Sequence, residues 1–243
     1  MKPPIPISLP VAIVTGAGSG IGRATALRLA GMNHRVVLVG RTPDPLQAVA
    51  LEIQSGGHEA FVIPADVSQF PQVDAMVAQA VTHWSRIDVL VNAAGMAPSA
   101  PLATLDPARW HDILNANLSS AFYTTRAVWP IMSKNGGGAI INISSRAAKD
   151  PFPGLGAYAI AKSGNNMLTL VTAREGEAVG IRVVAIAPGA VDTPMFRNLV
   201  GEENVHPEQV LHPDDVAAAV VQVVSGALQH ASGDTIYLHR RPA

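Results

Sequence analysis

The chain has 243 residues, 48% of them apolar and only 14% charged, with a formal net charge of −1; that composition supports one buried core over residues 1–243 and speaks against disorder. No Lys/Arg cluster beyond Arg240-Arg241 offers a duplex-binding surface, no apolar run nears the roughly 18 residues that span a bilayer, and the opening MKPPIPISLP is too proline-broken for a secretory core. A cytoplasmic protein with neither nucleic acid nor membrane as partner is therefore expected, and the absence of cysteine excludes disulfides, thiol nucleophiles and cysteine-zinc sites.

Short β-branched runs alternate with longer stretches of helical period. Residues 11–15, 35–39, 60–63, 88–91, 139–143, 181–186 and 235–238 read as strands. Runs such as VVLV, VLV and AIINI are almost continuously apolar, which implies burial on both faces, as in a parallel sheet joined by helical crossovers. Repeated βαβ units predict an α/β, doubly wound, three-layer sandwich around a seven-stranded parallel sheet. Gly136-Gly137-Gly138 and the stretch 151–156 read as turns within that alternation.

The first strand runs straight into Thr15-Gly16-Ala17-Gly18-Ser19-Gly20-Ile21-Gly22 and then a helical stretch from Arg23, on which Ala24, Leu27 and Gly31 share a face. Glycines let backbone N–H groups approach a pyrophosphate, and a helix N-terminus adds a favourable dipole for its oxygens. Strand, glycine turn and helix in that order point to a dinucleotide on a Rossmann-type fold. The spacing is T-G-x-x-x-G-x-G and not the general G-x-G-x-x-G, since the sixth place counted from Gly16 is Ile21.

At the end of the second strand, Val39-Gly40-Arg41-Thr42 holds no carboxylate for a ribose 2′-hydroxyl. Gly40 leaves space there, and Arg41 offers a permanently charged donor fork to a 2′-phosphate. NADP(H) is the predicted cofactor, with NAD the alternative if Arg41 is only a solvated strand-end residue.

Tyr158 and Lys162 stand at i and i+4 in a helical stretch, 157–178, where Ala161, Gly164, Leu168 and Val171 form an apolar stripe expected to pack on the sheet. A phenol of ordinary pKa near 10 is a poor base at neutral pH, but a cation within about 4–6 Å lowers it by on the order of 1–3 units. Ser145 lies at the C-terminal end of the fifth strand, where open α/β sheets hold their ligands, and its hydroxyl can donate to a substrate carbonyl. The eight histidines show no H-x-H or H-E-x-x-H spacing, so no metal is expected, and no G-x-S-x-G elbow suggests an α/β-hydrolase.

From Val11 to about Thr193 the chain resembles the short-chain dehydrogenase/reductase family. The resemblance rests on the glycine octet, Asp66-Val67, Asn92-Ala93-Ala94-Gly95, Asn117-Leu118, Ser144-Ser145, Tyr158-x-x-x-Lys162, and Pro188-Gly189 followed by Thr193. It implies a carbonyl–alcohol oxidoreductase similar to the 3-oxoacyl-thioester reductases, acting on a small molecule and assembling as a homodimer or homotetramer.

By the same resemblance Thr15, Gly16, Ser19, Gly20, Ile21, Gly22, Arg41 and Thr42 would bind the cofactor. Asp66 and Val67 would meet the adenine, although Asp66 could equally cap a helix beginning near Gln69. Asn92, Ala93 and Gly95 would line the adenosine side, and Pro188, Gly189, Val191 and Thr193 would hold the nicotinamide amide. In reduction Tyr158 would donate the proton, Ser145 polarise the carbonyl, Lys162 tune Tyr158 and bind the nicotinamide ribose, and Asn117 hold a water relay.

A catalytically silent NAD(P)-binding protein is the competing class, and a 3-oxoacyl thioester, or a sugar or small alcohol with NAD, are the competing substrate readings. The pocket is expected to be completed by residues after Ser145 and by 151–155 and 195–206, with Arg146 and Lys149 either attracting an anionic group or simply solvated. Two departures from the family stand out. Gly136–Gly138 replaces a frequent basic residue, and the tail His239-Arg240-Arg241-Pro242-Ala243 lacks the frequent Asp-Gly-Gly ending on which the usual tetramer contacts depend.

Overall fold

A computed structural model describes residues 9–240; residues 1–8 of the proline-rich opening and the last three residues of the tail lie outside that range. Seven strands form one parallel sheet in the order β3-β2-β1-β4-β5-β6-β7, the doubly wound Rossmann-type arrangement expected. They are β1 Val11–Thr15, β2 Arg35–Gly40, β3 Ala60–Pro64, β4 Val89–Asn92, β5 Gly138–Ile143, β6 Ile181–Pro188 and β7 Thr235–Leu238. The helices are α1 Gly20–Gly31, α2 Pro43–Ser55, α3 Phe70–Trp84, α4 Pro107–Leu114, α5 Ser120–Lys134, α6 Gly156–Gly176, α7 Pro194–Val200 and α8 Pro213–Val224.

Strand ends differ from the sequence reading where pairing, not hydrophobicity, sets them. β2 and β3 extend to the Gly40–Pro64 pair and β6 to the Pro188–Leu238 pair. β4 begins one residue late because the Asp88 carboxylate turns back to accept the Val11 N–H at 2.8 Å. α1 starts at Gly20, three residues before the expected Arg23, so the glycine turn itself supplies its first turn.

Side chains alternate across the sheet and build a core on each face. Ala12 and Val14 face α1, α2 and α8, whereas Val11 and Ile13 face α3, α5 and α6. The strand order reverses between β1 and β4, which opens a crevice above their C-terminal ends, the place where such sheets bind ligands.

One expectation for α6 is corrected. Ala161 is fully buried, but the face continues through Asn165, Thr169, Thr172 and Ala173, while Val171 is 43% exposed and Met167 more so. The reason is a buried polar ladder across the sheet. Thr124 donates to Asn92 Oδ1 at 2.7 Å, Asn92 to Asn142 Oδ1 at 2.9 Å, Asn142 to Thr169 Oγ1 at 2.9 Å, and Thr169 to the Asn165 carbonyl at 3.0 Å. Buried amides require partners, so the helix presents hydroxyls and small side chains to β5 and turns its bulk outward.

Candidate active site

Thr15 ends β1 with its hydroxyl turned inward, where Oγ1 accepts the N–H groups of Ala93 and Ala94, each at 3.1 Å. The turn is thereby pinned to the exit of β4. Gly16 takes φ +66°, and a Cβ at Gly22 would lie 2.2 Å from the Gly16 carbonyl oxygen, so the turn closes too tightly on the start of α1 for a side chain at Gly22. Ser19 occupies the N-cap position of α1 without a side-chain capping bond, and no acidic residue lies in the first turn. A helix start of this kind leaves backbone donors and a positive dipole end for an anion. The residues present fit a dinucleotide pyrophosphate.

Beside the cradle, a cavity of about 700 Å³ brings together Asn117, Ser145, Tyr158 and Lys162. β5 delivers two serines with opposite tasks. Ser144 is buried, donating to Asn166 Oδ1 at 2.5 Å and to the Lys162 carbonyl at 3.3 Å, which ties the strand exit to α6. Ser145 faces the cavity, where its Oγ accepts from the Ala147 N–H at 3.1 Å and shares a hydrogen bond with the Tyr158 phenol.

Lys162 is 5% exposed, and its Nζ donates to the Ile143 carbonyl at 2.7 Å. Burial brings its pKa down to about 8. The ammonium stands 5.7 Å from the centre of the Tyr158 ring. Tyr158 itself departs from the expected direction: burial pushes the phenol up, and the Ser145 hydrogen bond opposes that rise. Desolvation of the phenolate is the larger effect on Tyr158, and the Lys162 ammonium beside it donates to the Ile143 carbonyl.

Asn117 sits in a π-helical turn, Asn115–Ser119, between α4 and α5. Its side chain is a clamp, with Nδ2 donating to the carbonyls of Met96 at 2.8 Å and Ile113 at 2.9 Å and Oδ1 accepting from the Met96 N–H at 3.3 Å. The Asn117 carbonyl accepts from Asn165 Nδ2 at 3.3 Å, which ties the widened turn to α6.

Of the expected cofactor residues, Gly16, Ser19, Gly20, Ile21, Gly22, Ala93, Gly95, Pro188, Gly189, Val191 and Thr193 line the same cavity. Thr15 and Asn92 stand behind it, in the hydrogen bonds just described. Arg41 and Thr42 are exposed at the end of β2, outside the cavity. Asp66 Oδ1 holds the N–H and hydroxyl of Ser68 in a turn before α3, and the Val67 side chain is buried under that helix. Thr193 caps α7, accepting from the Phe196 N–H at 3.2 Å.

The segments expected to complete the pocket contribute Phe152, Pro153, Leu155, Met195, Phe196, Leu199 and Val200. Ala97, Ser99, Gln209, His239 and Arg240 also line it and carried no local signal, since only the return of distant loops to one strand edge assembles them. Arg146 lines the cavity but is paired with Asp150 at 2.7 Å, and Lys149 lies over the Tyr237 ring at 5.5 Å.

A pyrophosphate cradle at the reversal of a parallel sheet, with a tyrosine, a lysine and a serine converging beside it, defines a nicotinamide-dinucleotide oxidoreductase. The family model for short chain dehydrogenases matches residues 10–204, and the chain belongs to the short-chain dehydrogenase/reductase family. It is 39% identical over 193 residues to a 3-oxoacyl-(acyl-carrier-protein) reductase of Synechocystis, covering 79% of this chain and 78% of that one. It is 37% identical over 241 residues to the short-chain reductase protein NovJ of Streptomyces niveus, covering 94% and 92%. Among solved structures, levodione reductase superposes with a TM-score of 0.89 at 30% identity over 95% of this chain and 96% of that one. The protein is thus an NAD(P)-dependent enzyme interconverting carbonyl and alcohol groups.

Proposed function

We propose that this chain, as one unit over residues 1–243, is a cytoplasmic NADPH-preferring ketone reductase. The observation that carries the reading is the hydrogen-bonded Ser145–Tyr158 pair above a buried Lys162, inside the cavity that also contains the glycine cradle. These three residues, with Asn117 in the same cavity, speak against the catalytically silent alternative. The printed names of several relatives, 3-oxoacyl-(acyl-carrier-protein) reductases of Synechocystis and Staphylococcus epidermidis among them, support a 3-oxo substrate.

A nicotinamide cofactor, when bound, would supply the hydride. Tyr158, kept protonated by its burial, is placed to give the phenolic proton to the substrate oxygen. Ser145 donates to the same oxygen and so polarises the carbonyl. Lys162 contributes positive charge beneath the phenol and a donor toward the nicotinamide ribose. Asn117 holds the chain after β4 against the π-helical turn, and by the family resemblance it would also hold a water relay. The cradle residues Gly16, Ser19, Gly20, Ile21 and Gly22 would bind the pyrophosphate. Asp66, Val67, Ala93 and Gly95 would receive the adenosine, and Pro188, Gly189, Val191 and Thr193 the nicotinamide amide.

NADPH preference is supported by Gly40 and an exposed Arg41, with Thr42 beside it, at the end of β2. Assembly as a homodimer or homotetramer belongs to the same reading. Ile160, Met167 and Val171 on α6 and Phe122 on α5 are large apolar side chains left exposed.

The test is cofactor consumption over a panel of 3-oxoacyl thioesters, diketones, sugars and hydrophobic ketones, run with NADPH and with NADH. Tyr158→Phe is expected to bind NADPH normally and to lose roughly 10²–10⁴ in kcat. Near-normal turnover by that variant would remove Tyr158 from the reaction.

A further inference from the structure

The active-site cavity is electrically one-sided. Among its described lining residues there is no Asp or Glu, whereas Lys162, Arg146 and Arg240 are cationic, with His239 beside the last. Two of these charges are engaged. Lys162 donates to the Ile143 carbonyl, and Arg146 pairs with Asp150. Arg240 donates only to a neutral acceptor, the Pro207 carbonyl, at 2.8 Å, and no carboxylate lies within ion-pair reach of it among the described residues. A guanidinium has five N–H donors, so most of its fork is left for a ligand.

Arg240 reaches the cavity because β7 lies alongside the end of β6, where Gly189 donates to the Leu238 carbonyl at 2.7 Å, and the chain then brings His239 and Arg240 into the cavity lining. The Pro207 bond then fixes the guanidinium against the segment that follows α7. The wall of the same cavity is apolar, with Leu155, Leu199, Phe152 and Met195, the last two 56% and 40% exposed. Exposed apolar side chains inside a cavity favour an apolar ligand body, and a guanidinium in its lining with no carboxylate partner among the described residues favours a planar anion.

We propose that Arg240 is a specificity-determining residue that selects ketones carrying a carboxylate at the far end of an apolar chain, with the reacting carbonyl at Ser145 and Tyr158. The proposal rests on the ketone-reductase reading above.

A homologous series of methyl ketones ending in a carboxylate, each paired with its methyl ester, tests it. With NADPH, kcat/KM is expected to favour the acid over the ester by roughly tenfold or more at the chain length that spans the cavity, the difference lying in KM. Arg240→Gln is expected to erase that preference by raising KM for the acids, leaving the esters and the KM for NADPH unchanged. Arg240→Lys should restore part of it. Equal effects on acid and ester, no preference in the wild-type enzyme, or a change confined to NADPH would each overturn the proposal, the last assigning Arg240 to the cofactor. Absence of turnover with acids and esters alike would count against the reductase reading instead. Calorimetric affinities of the same acids and esters for the NADP⁺-loaded wild-type and Gln proteins would then still decide the role of Arg240.

Discussion

Lys162 is the residue at which function and stability pull apart. Its pKa falls from 10.5 to about 8 through burial, so the folded chain disfavours the ammonium on which the proposed mechanism relies. Between those two values the unfolded state binds more protons than the folded one, and stability must rise with pH across that interval. Below about pH 8 the buried charge costs about 3 kcal/mol, and above pH 10.5 that cost is gone. Chemical denaturation of the wild type and Lys162→Met at pH 7.5 and pH 10 should show the wild type gaining about 2 kcal/mol relative to the variant. A pH-independent difference would mean that Lys162 is solvated as a charge. Arg41 makes the opposite kind of residue-scale claim, because it is exposed and its side chain makes no ion pair or hydrogen bond among the described residues. Arg41→Ala should lower kcat/KM for NADPH by roughly 10- to 100-fold through KM and leave NADH almost unaffected. An equal fall with both cofactors would show that Arg41 does not meet the 2′-phosphate.

At the scale of elements, the ladder Thr124–Asn92–Asn142–Thr169 binds α5 and α6 to opposite ends of one row across β4 and β5. Asn142→Leu strands the Asn92 amide in the core, and a loss of about 2–4 kcal/mol is expected by urea denaturation. The Asn92→Leu/Asn142→Leu pair should lose less than the sum of its single changes, since each removes the partner the other strands. Strict additivity would mean that the two amides do not share a bond. The ladder also explains what the sequence concealed. Strands were legible because each is apolar on both faces, and the Tyr158–Lys162 pair because helical spacing is local. The stripe on α6 was misread since its buried face is chosen by a partner on β5, so Thr169 goes inward and Val171 outward. The π-helical turn at Asn117 has no sequence period of its own and is held by bonds to Met96 and Asn165. His239 and Arg240 enter the cavity only through the β6–β7 pairing, which no local pattern encodes.

For the whole molecule, the crevice divides the sheet into β3-β2-β1 and β4-β5-β6-β7, with Thr15 pinned to Ala93 and Ala94 across the divide. A dinucleotide bound in that crevice as proposed would contact the edges of both parts at once, and such a site would exist only when both are folded together. Binding to the native state alone therefore stabilises the entire chain by mass action, about 2.7 kcal/mol at a hundredfold excess over Kd. For a protein of this size that corresponds to a rise in Tm of roughly 5–11 °C. NADP⁺ should produce that shift as a displacement of one cooperative transition, and NAD⁺ at the same concentration a smaller one, with the gap between them closing in Arg41→Ala. The result that would count against a crevice shared by both parts is a scan in which NADP⁺ raises one of two separate transitions and leaves the other where it was.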